Sequence, residues 1–214
     1  VSDRAALDAE LAAGLATLGL PLDAAVRGRL LDYVELLARW NATYNLTAVR
    51  EPQAMVARHL LDSLAILPFV DADAVADLGT GPGLPGIPLA LARPGLRVVL
   101  VEANGKKARF LREALRRLGL SSAEVVEARA EGTHPAVRLS RVVARALAAL
   151  PDLVRLADPW LAEGGRLLAM KGPGHEDERR GLPAAWQVES THGITVPGLD
   201  AGRFLVVLKR AGDP

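Results

Sequence analysis

Residues 74–88 read Ala-Val-Ala-Asp77-Leu-Gly79-Thr-Gly81-Pro-Gly83-Leu-Pro-Gly86-Ile-Pro88, and their order decides the fold. A short apolar run ends in a carboxylate. Three glycines follow at alternate positions, then a fourth, then an apolar segment over residues 87–91. The pattern is strand, glycine-rich turn, helix, the opening of a nucleotide-binding α/β unit. Glycines let the chain turn sharply and bring its backbone close to a ligand, where a side chain would fill the space.

Two motifs overlap in this turn. Gly81-Pro-Gly83-Leu-Pro-Gly86 fits G-x-G-x-x-G, the dinucleotide fingerprint, which alone is a weak signal. Asp77-x-Gly79-x-Gly81-x-Gly83 resembles motif I of the S-adenosylmethionine (SAM) methyltransferases. The carboxylate favours SAM: a buried anion suits a cationic methionine moiety and repels a pyrophosphate. Pro82 and Pro85 also remove two N–H donors that a pyrophosphate would need. A Gly/Pro-rich connection without any ligand is the plainer alternative, but such a turn needs one glycine rather than four.

Composition narrows the chemistry. Half of the 214 residues are apolar, enough for a proper core. The chain has no cysteine, which rules out disulfides, thiolate metal sites and attack through an enzyme thiolate, and is compatible with the cytoplasm. His59, His134, His175 and His192 lack ligand spacing, so no metal site is expected. The formal net charge is +1, so nucleic-acid binding would rest on a local basic patch. Neither a signal-peptide pattern nor an apolar run of membrane-spanning length is present, so no membrane partner is expected.

Along the chain, Leu7, Leu11, Leu15 and Leu18 recur at helical spacing up to Gly19-Leu-Pro21. Val26, Leu30, Val34, Leu37 and Trp40 mark a second helix that stops near residues 41–45. Pro52 opens a third, with Met55, Val56, Leu60 and Leu64 on its apolar face. Residues 1–68 therefore read as a helical extension on a methyltransferase-like domain over 69–214. Beyond the turn, strand signals fall at 97–101, 123–126, 141–144 and 165–170, alternating with helices. Residues 186–190 and 203–209 form an antiparallel closing pair. The expectation is a doubly wound, mostly parallel seven-stranded Rossmann-like sheet. Its strand ends would gather Asp77–Gly83, Glu102, residues 127–131, Arg145 and Lys171 around one crevice. Glu102, about twenty residues past the glycines, can accept ribose hydroxyls.

With these residues in view, the chain closely resembles the bacterial small-subunit ribosomal RNA methyltransferase G (glucose-inhibited division protein B) family over nearly its full length. The matching pieces are Trp40-Asn41…Asn45-Leu46-Thr47, His59-Leu-Leu-Asp62-Ser63, the block from Asp77 to Pro88, Lys106-Lys107…Phe110-Leu111, Arg129-Ala-Glu131, Arg145-Ala146 and Lys171-Gly172. Glu102 stands where the family usually has Asp, and Ala144 where Ser commonly precedes Arg-Ala. The resemblance implies methyl transfer from SAM to N7 of one guanine in 16S rRNA, free or in the small ribosomal subunit or its assembly intermediate. It places Gly79 and Leu84 on the methionine side, Ala130 and Glu131 at the adenine, and Arg145 between cofactor and substrate.

Guanine N7 carries a free lone pair, so the reaction needs alignment rather than a base. Asp77 and Glu102 are therefore read as cofactor ligands with Gly79, Gly81 and Gly83. Arg145 is the candidate catalytic residue. Lys106, Arg109, Lys171 and Asn45 are candidate RNA contacts, against the plainer reading of a solvated helix face, a neutralised strand end and a helix cap. His59, Asp62 and Ser63 span about one helical turn, unlike a working triad, and are read as pinning the third helix to the glycine turn. An NAD(P)-dependent oxidoreductase and a non-catalytic RNA-binding module are the alternatives from other classes.

Overall fold

The computed structural model describes residues 3–133 and 135–213. His134 lies outside the described residues, as do both chain ends. Seven strands form one sheet in the order β3-β2-β1-β4-β5-β7-β6. They are β1 (Ala74–Leu78), β2 (Arg97–Glu102), β3 (Ala123–Glu127), β4 (Leu139–Arg145), β5 (Leu161–Lys171), β6 (Trp186–Ile194) and β7 (Arg203–Arg210). The first five pair in parallel; β7 runs antiparallel to both β5 and β6. The order in which strands are added reverses between β1 and β4, so a crevice opens above the carboxyl ends of those two parallel central strands.

Both faces of the sheet are covered, which is why β1, β2 and β4 are near-continuous apolar runs rather than alternating ones. On one face lie α5 (Gly86–Ala92), α6 (Gly105–Arg117) and the N-terminal helices; α7 (Leu150–Ala157) covers the other. Helix α1 (Arg4–Thr17) is capped by Asp3, and α2 (Ala24–Tyr44) by Asp23. At its other end α2 stops on Asn45 in the left-handed conformation, the ending an asparagine tolerates best after glycine. Leu11, Leu30, Leu37, Leu60, Ile87 and Phe110 share one apolar cluster, so the extension shares its core with the sheet.

The third helix differs from its expected form. Helix α3 (Pro52–Met55) runs into a π-helical turn (Val56–Leu61) and closes as α4 (Asp62–Leu64). A π turn adds a residue to the helical repeat and re-aims the side chains beyond it. The close approach of α1 accompanies it: a Cβ on Gly14 would stand 2.3 Å from the Leu61 side chain. Strand β5 is also longer than expected, beginning at Leu161, and Asp158–Trp160 is a short 3-10 turn.

Candidate active site

The glycine turn is built from its first carboxylate. Asp77 is fully buried, and its Oδ2 accepts from Thr80 Oγ1 at 2.5 Å and from the Gly86 amide at 2.8 Å. It thus braces both ends of the turn from below and does not line the cavity above it. Its two hydrogen bonds are both to the turn and both through Oδ2, while its Oδ1 has no hydrogen-bond partner among the described residues. Burial pushes its carboxyl up to about 7, against the pull of Thr80, Gly86 and Arg145.

Gly79 and Gly81 have φ values of +62° and +61°. A Cβ on Gly81 would meet nothing closer than 4.0 Å, whereas Gly83 is pressed against Ile87 and Leu111, and Gly86 against Leu100 and Asp77. The four glycines therefore divide. Gly79 and Gly81 face the cavity, and Gly83 and Gly86 permit packing. Glu102, at the end of β2, accepts from the Gly81 amide at 2.9 Å and from the Asn104 amide at 2.8 Å. Each carboxylate oxygen keeps a further lone pair for a ligand hydroxyl. Ala130 and Glu131 follow β3 on the same edge, where the Ala128 amide bonds the Glu102 carbonyl.

A cavity of about 850 Å³ extends from Gly79–Gly81 and Leu84 past Arg145 and Lys171 towards the β6–β7 connection. On its far wall sits Asp62, 5% exposed. Arg145 Nη1 donates to Asp62 Oδ2 at 2.8 Å and to the Arg58 carbonyl at 3.0 Å, while Arg203 Nε donates to Asp62 Oδ1 at 3.1 Å. One buried carboxylate thus joins the π turn, the end of β4 and the start of β7. The expected pinning of this helix to the glycine turn is corrected: Asp62 pins it to two arginines. Arg203 was missed by sequence reasoning. Its only signal was its place at the head of an apolar closing strand.

His59 bonds Thr47 Oγ1 through Nε2 at 3.0 Å, and Asn41 holds the Thr47 amide and the Val49 carbonyl. This relay shapes the loop at the cavity rim. Burial first, and Arg145 second, press the His59 ring down to about 4, so it is neutral at pH 7. Lys171 is held by the Ala148 carbonyl at 3.0 Å and Glu178 at 2.7 Å, which leaves its ammonium paired at the cavity wall. Asn45 is exposed, outside the cavity lining, and accepts from Arg50 at 3.4 Å. On α6, Arg112 pairs with Glu127, and Arg116 and Arg117 with Glu113. Lys106 and Arg109 have no ion-pair partner among the described residues, and Lys107 lines the cavity.

Residues 27–206 match the GidB family model, rRNA small subunit methyltransferase G. The chain belongs to that family. Ribosomal RNA small subunit methyltransferase G of Stenotrophomonas maltophilia (strain K279a) is 56% identical over 204 residues, 95% of each chain. The protein of that name from Xanthomonas campestris pv. campestris (strain 8004) is 54% identical, covering 96% of this chain and 98% of its own. Among solved structures, TrmN from Thermus thermophilus gives a TM-score of 0.57 at 20% identity, over 73% of this chain and 53% of that one. The mitomycin 7-O-methyltransferase MmcR gives 0.59 at 19%, over 83% and 60%. These two likenesses bear on the fold, a Rossmann-like methyltransferase sheet. The chain is accordingly an enzyme of the methyltransferase class. Among the described residues no helix is long and apolar enough to cross a membrane.

Asp77 makes folding pH-dependent. Its carboxyl titrates near 3.8 when unfolded and near 7 when folded, so the native state holds the extra proton in between. Stability conferred by this group is complete below pH 3.8 and falls as pH rises towards 7. His59 acts oppositely, losing stability as pH falls from 6.5 towards 4. In urea unfolding, the difference in stability between wild type and Asp77→Asn should change with pH across the Asp77 window, by on the order of a few kcal/mol. A pH-independent difference would show that Asp77 stays ionised throughout.

Proposed function

We propose that this chain transfers the methyl group of SAM to N7 of a specific guanine in 16S rRNA, presented in the small ribosomal subunit or an assembly intermediate, in the cytoplasm. One observation carries the reading: the buried or half-buried carboxylates and histidine that line the cavity are either ion-paired or, as with the His59 ring pressed down to about 4, weak bases. Asp62 is held by two arginines, Glu178 by Lys171 and the Leu150 amide, and His59 is neutral and bonded to Thr47. A cavity without an available base suits an acceptor that needs no deprotonation, and N7 is such an acceptor.

The residues present fit the cofactor. Gly81 leaves bare backbone facing open space and Gly79 lines the cavity beneath the Leu147 side chain, with Gly83 packed behind and Leu84 at the cavity wall beside them. Glu102 would accept ribose hydroxyls, and Ala130 and Glu131 would border the adenine. When bound, SAM supplies an electrophilic methyl group on a sulfonium. The chain's part is alignment and exclusion of water. Arg145 marks the passage from the cofactor end of the cavity to the substrate end, where Lys106 and Arg109 would meet phosphates and Asn45 the rim. Lys171 would act from the wall, through its pair with Glu178. Transfer breaks the C–S bond and forms C–N7; the positive charge leaves sulfur and appears on the purine, so no proton need move.

The test is transfer of labelled methyl from SAM to 30S subunits from a strain lacking this protein, followed by nucleoside analysis. Label recovered as 7-methylguanosine at a single site is the expected result. Label in another nucleoside would overturn the target atom. SAM binding without incorporation into subunits or free rRNA would overturn the substrate.

A further inference from the structure

The three tryptophans, two tyrosines and three phenylalanines of this chain are almost all withdrawn from solvent. Tyr44 is the exception among the described residues, 38% exposed at the last turn of α2. Its ring lies 5.3 Å from Trp40, and Trp40 meets Phe110 of α6 edge-on at 5.6 Å. Phe110 anchors the far end of the row against Tyr33 inside the core. The row therefore runs from the interior outward and leaves one aromatic face on the surface.

Basic residues are frequent in the two segments that carry this row. Lys106 and Lys107 lie one turn before Phe110 on α6, next to exposed Arg109; Arg39 and Arg50 flank Trp40 and Asn45. Lys106, Lys107, Arg109 and Arg39 have no ion-pair partner among the described residues, while the more distal α6 arginines are neutralised. Lys107 and Val49 continue this surface into the cavity. An exposed aromatic face, joined through Trp40 and Phe110 to a helix that carries unpaired cations, offers what an unstacked nucleobase and its phosphates require.

We propose that Tyr44, backed by Trp40, is a stacking platform for a second, unmethylated base of the RNA strand that carries the target guanine. Lys106 and Arg109 bind that strand's phosphates. The inference rests on the RNA reading above and adds a site outside the cavity.

The test measures binding of protein-free 16S rRNA and of 30S subunits to the full chain at several salt concentrations. Tyr44→Ala should weaken binding to both by about fivefold or more without changing the salt slope. Tyr44→Phe should keep wild-type affinity, and SAM binding should be unaltered in both variants. Lys106→Ala and Arg109→Ala should instead each lower the slope by about 0.7. Wild-type affinity in Tyr44→Ala would overturn the platform. A loss confined to 30S subunits would overturn it in favour of contact with a ribosomal protein. If the wild-type chain binds neither probe, the RNA reading itself fails, and the platform with it.

Discussion

Arg145→Ala is expected to reduce methyl transfer by roughly two to three orders of magnitude, with a much smaller loss of SAM affinity. The side chain leaves β4 at the cavity's midpoint, and Nη1 serves both Asp62 and the Arg58 carbonyl. Removing it costs the passage its guanidinium and frees one side of a buried carboxylate. Arg203 still holds the other oxygen of Asp62, so the fold should survive with a loss of about 1–3 kcal/mol. Arg145→Lys should recover little, because Nη1 alone holds both acceptors, and an ammonium in its place would leave none of the planar guanidinium towards the passage. Single-turnover transfer and SAM calorimetry, run on the same preparations, check this. If SAM affinity fell as far as turnover, Arg145 would be a cofactor anchor instead.

Gly81→Val should abolish measurable SAM binding, and transfer with it, in a chain that remains folded. Two features make the effect large. The φ of +61° strains any branched side chain, at about 1–2 kcal/mol. The new atoms enter space that the protein itself leaves open. The strain falls on stability and the occlusion on binding, so the two separate experimentally. A modest drop in Tm with saturable SAM binding lost is the expected pair of results; unchanged affinity would place the cofactor elsewhere. Gly86→Val makes the contrast, since its Cβ would collide with Leu100 and Asp77 and damage the fold first.

The sheet was legible because its evidence is local. Buried parallel strands must be apolar over their whole length, and residues 75–78, 98–101 and 142–144 are nearly so, Asp77 being the one polar member. The turn was legible for the same reason: four glycines in eight residues have few other uses. The bonds of Asp77 to the turn were not, because a strand-end carboxylate looks the same whether it faces a ligand above or two donors below. Nor were the ties at Asp62. Its partners lie 83 and 141 residues away in sequence, and no spacing rule links an N-terminal helix to a closing strand. The π turn was hidden too, since its extra residue shows only when the helix must face both α1 and the cavity. The surface of α6 was half legible. Its basic residues were plain, but which of them are cancelled by Glu113 and Glu127 depended on side-chain placement.

The antiparallel course of β7 has a consequence for biosynthesis. A parallel strand delivers its end to the catalytic edge, whereas β7 delivers its beginning, and Arg203 is its first residue. As the chain emerges during translation, the glycine turn, Glu102 and Arg145 are all available before Arg203 exists. The Arg203 side of the Asp62 cluster is therefore supplied after the rest of the site. A nascent chain stalled before β7 would carry the residues of the cofactor end without the strand that closes the substrate end, which ties competence for transfer to the synthesis of β7.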